Sequence, residues 1–442
     1  MKERGNKLLK AIDRIIGPAI VFALGLFRKL MLPQSSAVGG AVTQVTEGVF
    51  FIKTTPRFLL IKTAAIGDTI LLSSVIQEIK ASRPNSSISL LCAKNNYEAA
   101  KLLDNVDEII VFDFASLLFS FKRVIKLAKY DYVLDFAQWD KISAIITAFV
   151  KADYKVGFYR KNMYRHYAYD KFAEHSDDCH EVDNYKKLCE LVGIKCKKFL
   201  PRINMALEQQ SSQEPKASNH HTNHNLKDWI ATPLSEARND DYDKHYLCSN
   251  YQNGYVVFHM FPGGSLQKLK KWSFNNWFEL ACKIYKEFGY SILVTGAKSD
   301  LGEANAFCEM LRQKGIRFFN MADKLSLAET AIVLKNSKML VSVNTGIMHL
   351  ASALNVPLVV INGATSVKRW GPLNENSVAI SANLDCYPCI SLGFESKCDS
   401  PKCLESITAD YVFEYVKELE LQKLSLREAV LKLGFCSIIS LF

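Results

Sequence analysis

Residues 339–372, MLVSVNTGIMHLASALNVPLVVINGATSVKRWGP, decide the fold class. An apolar, β-branched run at 340–343 ends at Asn344-Thr345-Gly346, a helical pattern continues to Leu354, and a second apolar run at 357–361 stops before Gly363. The order is strand, turn, helix, strand. In an open parallel sheet, ligands bind at the carboxyl ends of strands, where a helix N-terminus offers unpaired N–H groups and a partial positive charge. Thr345 and Gly346 stand where those groups would face an anion, and Gly346 has no Cβ to obstruct one. An ordinary βαβ turn uses the same residues.

The pattern repeats outward in both directions. Strand runs are expected at 57–62, 88–92, 108–112 and 132–136, and again at 255–260, 291–295, 317–319, 339–343 and 358–361, with helical segments between them. Such alternation implies parallel sheets with right-handed crossovers. A chain of 442 residues exceeds what one core organises, and the reading divides it accordingly. Residues 1–55 form an N-terminal segment and tether, 56–208 a first α/β domain, 209–250 a linker, 251–422 a second α/β domain, and 423–442 a C-terminal tail. The cleft between two such halves is the expected ligand site.

The net charge of +10 calls for an anionic partner, which nucleic acid, anionic lipid and phosphorylated sugar all satisfy. Nucleic acid is the weakest of these, because the basic residues are dispersed and no recognised module is present. Twelve cysteines scattered through an α/β pattern do not resemble a secreted disulfide framework. At the N-terminus, Leu8, Leu9, Ile12, Ile15 and Ile16 share one helical face, with Lys7, Lys10 and Arg14 off it. The apolar block that follows is short for a bilayer, so the segment is expected to lie in a membrane interface rather than span it. Signal peptide and packed helix stay open as readings.

Several stretches could carry chemistry. Asp68 follows Gly67 at the end of the first strand, before a helix expected from Thr69 to about Ser82. It can be a helix cap or a general base, but one side chain cannot fully serve both. Gly263-Gly264 precede Lys268-Leu-Lys270-Lys271-Trp272, an arrangement that lets backbone approach a phosphate with a lysine behind it, although no Walker sequence is present. Residues 154–170 turn basic and aromatic, with Arg160, Lys161 and Arg165 either in a solvated loop or on an anionic-substrate surface. Cys386, Cys389, Cys398 and Cys403 could offer zinc four thiolates, yet the second pair lacks knuckle spacing, and reduced cysteines closing a loop fit as well. His220, His221 and His224 have no partners at metal-ligand spacing.

Taken in order, Ile61-Lys-Thr-Ala-Ala-Ile-Gly67-Asp68, the glycine turn with Lys270-x-Trp272, Thr295-Gly296, Asn344-Thr-Gly-x-x-His349, Gly363 and Gly371-Pro372 resemble glycosyltransferase family 9, the lipopolysaccharide heptosyltransferases. The resemblance implies a GT-B fold, two Rossmann-like domains whose parallel sheets face a central cleft. It further implies inverting, metal-independent transfer, without a cofactor, from a nucleotide-diphosphate sugar such as ADP-heptose to an anionic lipopolysaccharide-core glycolipid. Asp68 then takes the place of the catalytic base and Lys270 that of the lysine on the donor diphosphate. Gly263, Gly264, Thr295, Gly296, Asn344, Thr345, Gly346 and His349 would line the donor, and Gly67, Arg160, Lys161 and Arg165 the acceptor. The implied location is cytoplasmic, peripheral on the inner face of the bacterial inner membrane. Asn344 departs from the family's usual aspartate. Transfer of another nucleotide sugar, a polysaccharide acceptor, and a membrane-tethered binding protein without turnover are the alternatives.

Overall fold

The computed structural model describes residues 54–203 apart from 198, residues 254–422 apart from 265, 383, 391–397 and 399, and residues 17, 19–23 and 26. The expected linker at 209–250, with His220, His221 and His224, the tail at 423–442 and most of the N-terminal segment lie outside the described residues. Two compact units divide the chain, Met1–Ile203 and Asn204–Phe442.

The first unit is built on β1 (Arg57–Ile61), β2 (Ser87–Ala93), β3 (Glu108–Phe112), β4 (Tyr130–Asp135), β5 (Ala152–Tyr159) and β6 (Lys171–Glu174). They pair in the order β3-β2-β1-β4-β5-β6, every pair parallel. The second is built on β7 (Tyr255–His259), β8 (Ser291–Val294), β9 (Phe318–Asn320), β10 (Met339–Val343), β11 (Leu358–Asn362) and β12 (Ser377–Ser381), in the order β12-β11-β10-β7-β8-β9, again all parallel. Both orders describe one winding. The chain starts at the centre, moves to one edge, returns to the centre and fills the other side, which is the Rossmann order. Each unit therefore reverses direction between its first and fourth strands, β1/β4 and β7/β10, and the crevice at that switch point is where such sheets bind ligands.

The central strands are nearly unbroken apolar runs because helices cover both faces of a parallel sheet. All five residues of β10 and of β11 are buried, as are the last four of β1. Around them, Leu59, Ile61, Phe112 and Val133 pack one core, and Val256, Phe258, Trp277 and Val341 the other.

Three strands escape the periodicity reading, and each departs for a physical reason. Residues 152–159, expected within a basic loop, form β5, where Lys155 is buried with its Nζ 2.9 Å from the Ala148 carbonyl. A lysine inside a strand masks its apolar pattern. β6 and β12 are short sheet edges of mixed burial, and edges need little hydrophobic sequence. The helix expected from Thr69 begins at Ile66 and runs to Ser82, with Ala65 at the N-cap position. Asp68 thus sits in the first turn of the helix and is not its cap. Among the described residues no helix is long and apolar enough to cross a membrane.

Candidate functional site

At the switch point of the first unit, Lys62 directly follows β1 and is 1% exposed. Its Nζ lies 3.0 Å from Asp68 Oδ1 and donates to the Phe136 carbonyl at 3.1 Å. Gln138 Nε2, just beyond β4, and the Tyr185 hydroxyl also donate to Asp68 Oδ1, each at 3.3 Å. Three donors converge on one carboxylate oxygen. The side chain of Asp68 nonetheless keeps 19% exposure, against 2% for Lys62. The helix dipole adds to this, since an anion in a first turn faces the unpaired N–H groups.

Behind Gln138 runs a buried polar chain. The Gln138 amide also donates to Glu181, whose carboxylate oxygens lie 3.0 and 3.1 Å from His175 Nε2. Arg160 approaches His175 Nδ1 at 3.0 Å, binds both oxygens of Asp177 at 2.8 Å, and stacks 3.9 Å over the Trp139 ring. An arginine N–H on Nδ1 requires that nitrogen to accept, which leaves the Nε2 proton for Glu181. Gln138, His175 and Glu181 were invisible as site residues in the sequence, because they join only through the fold. Lys62 was legible, standing in the same short motif as Asp68.

The expected acceptor residues separate here. Lys161 is exposed, Arg160 is part-buried and committed to Asp177, and Gly67 is buried within the helix. Arg165 is a correction: it is 1% exposed, pairs with the fully buried Asp135 at 2.8 Å, and donates to Tyr169 and Ser143. Burial raises the Asp135 pKa and the Arg165 charge opposes that rise. An unpaired Asp135 in that interior would be costly, so Arg165 is an interior counter-ion and not a surface cation.

In the second unit the switch point lies between β7 and β10. Gly263-Gly264 follow β7, and Gly264 holds φ +75°, which an L side chain rarely adopts. A short 3₁₀ turn, Gln267–Lys270, brings Lys270 Nζ back to donate to the Gly263 carbonyl at 2.9 Å. Burial lowers the Lys270 pKa. The turn is anchored on both sides: Leu269 packs against Ala364 and Ile390, and the Trp272 indole donates to the Ile407 carbonyl at 2.7 Å. Ser273 then caps helix Phe274–Phe288.

Beyond β8, Thr295 Oγ1 lies 2.9 Å from His259 Nδ1. Burial takes the His259 pKa down to about 4, so the imidazole is neutral at pH 7. Gly296 leaves no room for a side chain, as a Cβ there would meet the Phe261 ring at 2.9 Å.

Past β10, Thr345 is the N-cap residue of helix Gly346–Ala353, yet its side chain makes no cap bond. Its hydroxyl oxygen is out of solvent and has no hydrogen-bond partner among the described residues. A buried, unsatisfied hydroxyl beside an uncapped helix terminus is a donor and acceptor held in readiness. His349 is 5% exposed one turn further along. Asn344 Nδ2 donates to Asn362 Oδ1 at 3.0 Å and reaches the Trp370 carbonyl at 3.5 Å. Asn362 is fully buried; its Oδ1 also accepts from Thr365 Oγ1 at 2.9 Å, while its Nδ2 donates to the Thr365 carbonyl and to Tyr387.

Cys386, Cys389, Cys398 and Cys403 line one cavity of about 310 Å³ together with Leu269, Ala364 and Tyr387. All four are free thiols, and burial raises the Cys403 pKa. Among the described residues no three His, Cys, Asp or Glu side chains are grouped to hold a metal ion. Through Leu269 the cavity wall adjoins the turn that carries Lys270.

Two Rossmann-wound parallel sheets in one chain, each with polar groups at its switch point, define a GT-B protein. The sequence model of "Glycosyltransferase family 9 (heptosyltransferase)" matches residues 118–398, and the chain belongs to that family. Among curated relatives, lipopolysaccharide heptosyltransferase 2 of Escherichia coli K12 is 27% identical over 155 residues, 34% of this chain and 43% of the relative. The chain thus spans less than half the length of that relative. The structure of E. coli ADP-heptose LPS heptosyltransferase II superposes with a TM-score of 0.60 at 19% identity, covering 83% of this chain and 99% of the other. E. coli heptosyltransferase WaaC with ADP gives 0.59 at 18%, covering 82% and 99%. The family match begins after Asp68, so the role of that residue rests on its surroundings.

Proposed function

We propose that the protein is an inverting, metal-independent glycosyltransferase that moves heptose from ADP-heptose to an anionic lipopolysaccharide-core acceptor. The observation that carries this reading is the pair of groups at the second unit's switch point. Thr345 leaves a buried hydroxyl without a partner among the described residues and makes no side-chain cap on its helix, and Lys270, at the end of the turn after the adjacent strand, is a part-buried cation that donates to a neutral carbonyl. Both features cost the free protein energy and are relieved by one ligand chemistry, a diphosphate. The names of the relatives supply the sugar and the acceptor.

In the transfer step, Asp68 removes the proton from the attacking acceptor hydroxyl. Lys62, Gln138 and Tyr185 hold Oδ1, which leaves Oδ2 to receive that proton. The oxygen attacks the anomeric carbon opposite the nucleoside diphosphate, and the bond to the departing phosphate breaks. Lys270 and the N–H groups of helix Gly346–Ala353 take up the charge that grows on the leaving group. Lys161 is the exposed cation left for an anionic acceptor, and the protein works on the inner face of the inner membrane.

Asp68→Asn tests the base. It keeps the contacts on Oδ1 and removes the acid–base function, so kcat should fall by at least 100-fold with the Kd for ADP unchanged. Mass spectrometry of products from a mixed nucleotide-sugar pool identifies the donor, and EDTA should not reduce the rate. Near-normal turnover by the variant removes Asp68 from the mechanism.

A further inference from the structure

Helix Leu117–Ile125, LLFSFKRVI, turns Ser120, Phe121 and Val124 inward but sends two large apolar side chains out. Leu118 is 82% and Phe119 70% exposed, the two most exposed large hydrophobic residues among those described. One turn later on the same two faces stand Lys122 and Arg123, then Lys126, all exposed. An apolar tip with a basic collar is the arrangement of helices that lie in an anionic interface.

The tip is not isolated. Phe121 packs both into the first unit's core and against the cluster of Val21, Ala144, Ile145, Ala168 and Tyr169. On either side of Val21, Ile20 and Phe22 are exposed, with Phe22 set edge-on to Tyr167 at 5.4 Å. Scattered apolar residues on a surface need no explanation, but Leu118 and Phe119 are adjacent in the chain and are followed on the same helix by exposed cations. The nearby carboxylate of Asp113 is neutralised by Lys94 at 2.7 Å. Position adds to composition. In a parallel sheet all carboxyl ends lie on one rim, so the segment after β3 opens on the same rim as the segment after β1 that carries Asp68. Two strand spacings, about 10 Å, separate the two strands.

We propose that Leu118 and Phe119, backed by Lys122, Arg123 and Lys126, form a membrane-docking face of the first unit. The two apolar side chains enter the headgroup–acyl boundary of an anionic bilayer, and the three cations meet lipid phosphates. The face holds the rim of Asp68 toward the surface from which a lipid-borne acceptor projects, a role that rests on the function proposed above. The two apolar side chains are largely exposed at the start of their helix with three cations behind them, and the chain carries a net charge of +10, which together favour an anionic lipid surface over a protein partner.

The test is flotation of the full-length protein with vesicles of phosphatidylcholine, alone or with 30 mol% phosphatidylglycerol, and containing no sugar acceptor. Wild type should float with the anionic vesicles, and salt should weaken that binding. Leu118→Ser/Phe119→Ser should lower the partition coefficient at least tenfold, with an unchanged melting temperature and unchanged transfer to a soluble core-saccharide acceptor. Lys122→Glu/Arg123→Glu/Lys126→Glu should remove the preference for anionic vesicles. The double variant keeps the whole N-terminal segment, so its loss of binding reports on the tip alone. Failure of wild type to float, or equal flotation of the double variant, overturns the proposal. Loss of a co-purifying protein with flotation intact overturns it in favour of a protein partner. Normal flotation without glycosyl transfer counts against the proposed function only.

Discussion

Lys270→Met isolates the electrostatics of the donor site. In the free protein Nζ has the Gly263 carbonyl at 2.9 Å, and burial lowers its pKa, so the charge adds little to folding. A bound diphosphate changes that balance. At about 4 Å and an effective dielectric of about 20, opposite unit charges attract by roughly 4 kcal/mol before desolvation. Hydrogen bonds to charged groups contribute about 1.5–3 kcal/mol net. With about 1.4 kcal/mol per factor of ten, the variant should bind ADP roughly ten- to a hundredfold more weakly. Methionine keeps most of the volume and removes a desolvated amine, so the melting temperature should hold or rise. Titration calorimetry with ADP from pH 6.5 to 10 adds a signature. Because the Lys270 pKa is lowered, the wild-type proton leaves at a lower pH than from an ordinary lysine. Affinity should therefore weaken as pH rises through that range, while the variant shows no such slope. ADP affinity within threefold of wild type, or an unaltered pH slope in the variant, would refute the reasoning.

Thr345→Val removes a buried hydroxyl with no partner among the described residues, so melting should hold or rise while ADP binding weakens about three- to tenfold, the share of one neutral hydrogen bond; calorimetry on the same samples reads both. Asn344→Asp should impair the protein and not improve it, because a carboxylate cannot donate to Asn362 Oδ1, and Thr365 fixes that amide's orientation. Oδ1 keeps the Thr365 hydroxyl, but one hydrogen bond is lost and a carboxylate oxygen is set against it, at a cost of roughly 1–3 kcal/mol, so ADP affinity and melting temperature should both drop at pH 7.5 and recover toward pH 5, where the acid form can donate. His259 titrates near 4 in the folded state, below its unfolded value of about 6.5. The unfolded chain takes the proton first, so this residue costs stability progressively as pH falls from about 6.5 toward 4. Comparing melts of wild type and His259→Asn over that range should show a shallower decline in the variant.

Legibility in the sequence tracked how local each cause is. The runs at 339–343 and 358–361 announced central strands because both faces of a parallel sheet are covered, and β10 keeps the expected bounds while β11 gains one residue. β5 was hidden by a buried lysine whose ammonium donates to a carbonyl of the preceding helix. Arg165 looked like a surface cation among tyrosines, and nothing nearby in sequence revealed Asp135, thirty residues earlier, as its partner. Nothing in the sequence marked Leu118 and Phe119 as exposed, because only the packing of the folded chain leaves them uncovered.

By itself the sequence determined the alternation of strand and helix, the glycine turns, and the short motifs that carry Asp68, Lys270 and Thr345, because each depends on neighbours within one or two turns of chain. Tertiary structure decided the strand order that places these motifs at the two switch points, and the partners that give them chemical character. Lys62 and Asp68 are six residues apart, but Gln138 and Tyr185 reach the same carboxylate from 70 and 117 residues away. Burial and long-range hydrogen bonds set whether a side chain is a counter-ion, a base or a membrane contact, and these belong to the folded chain alone.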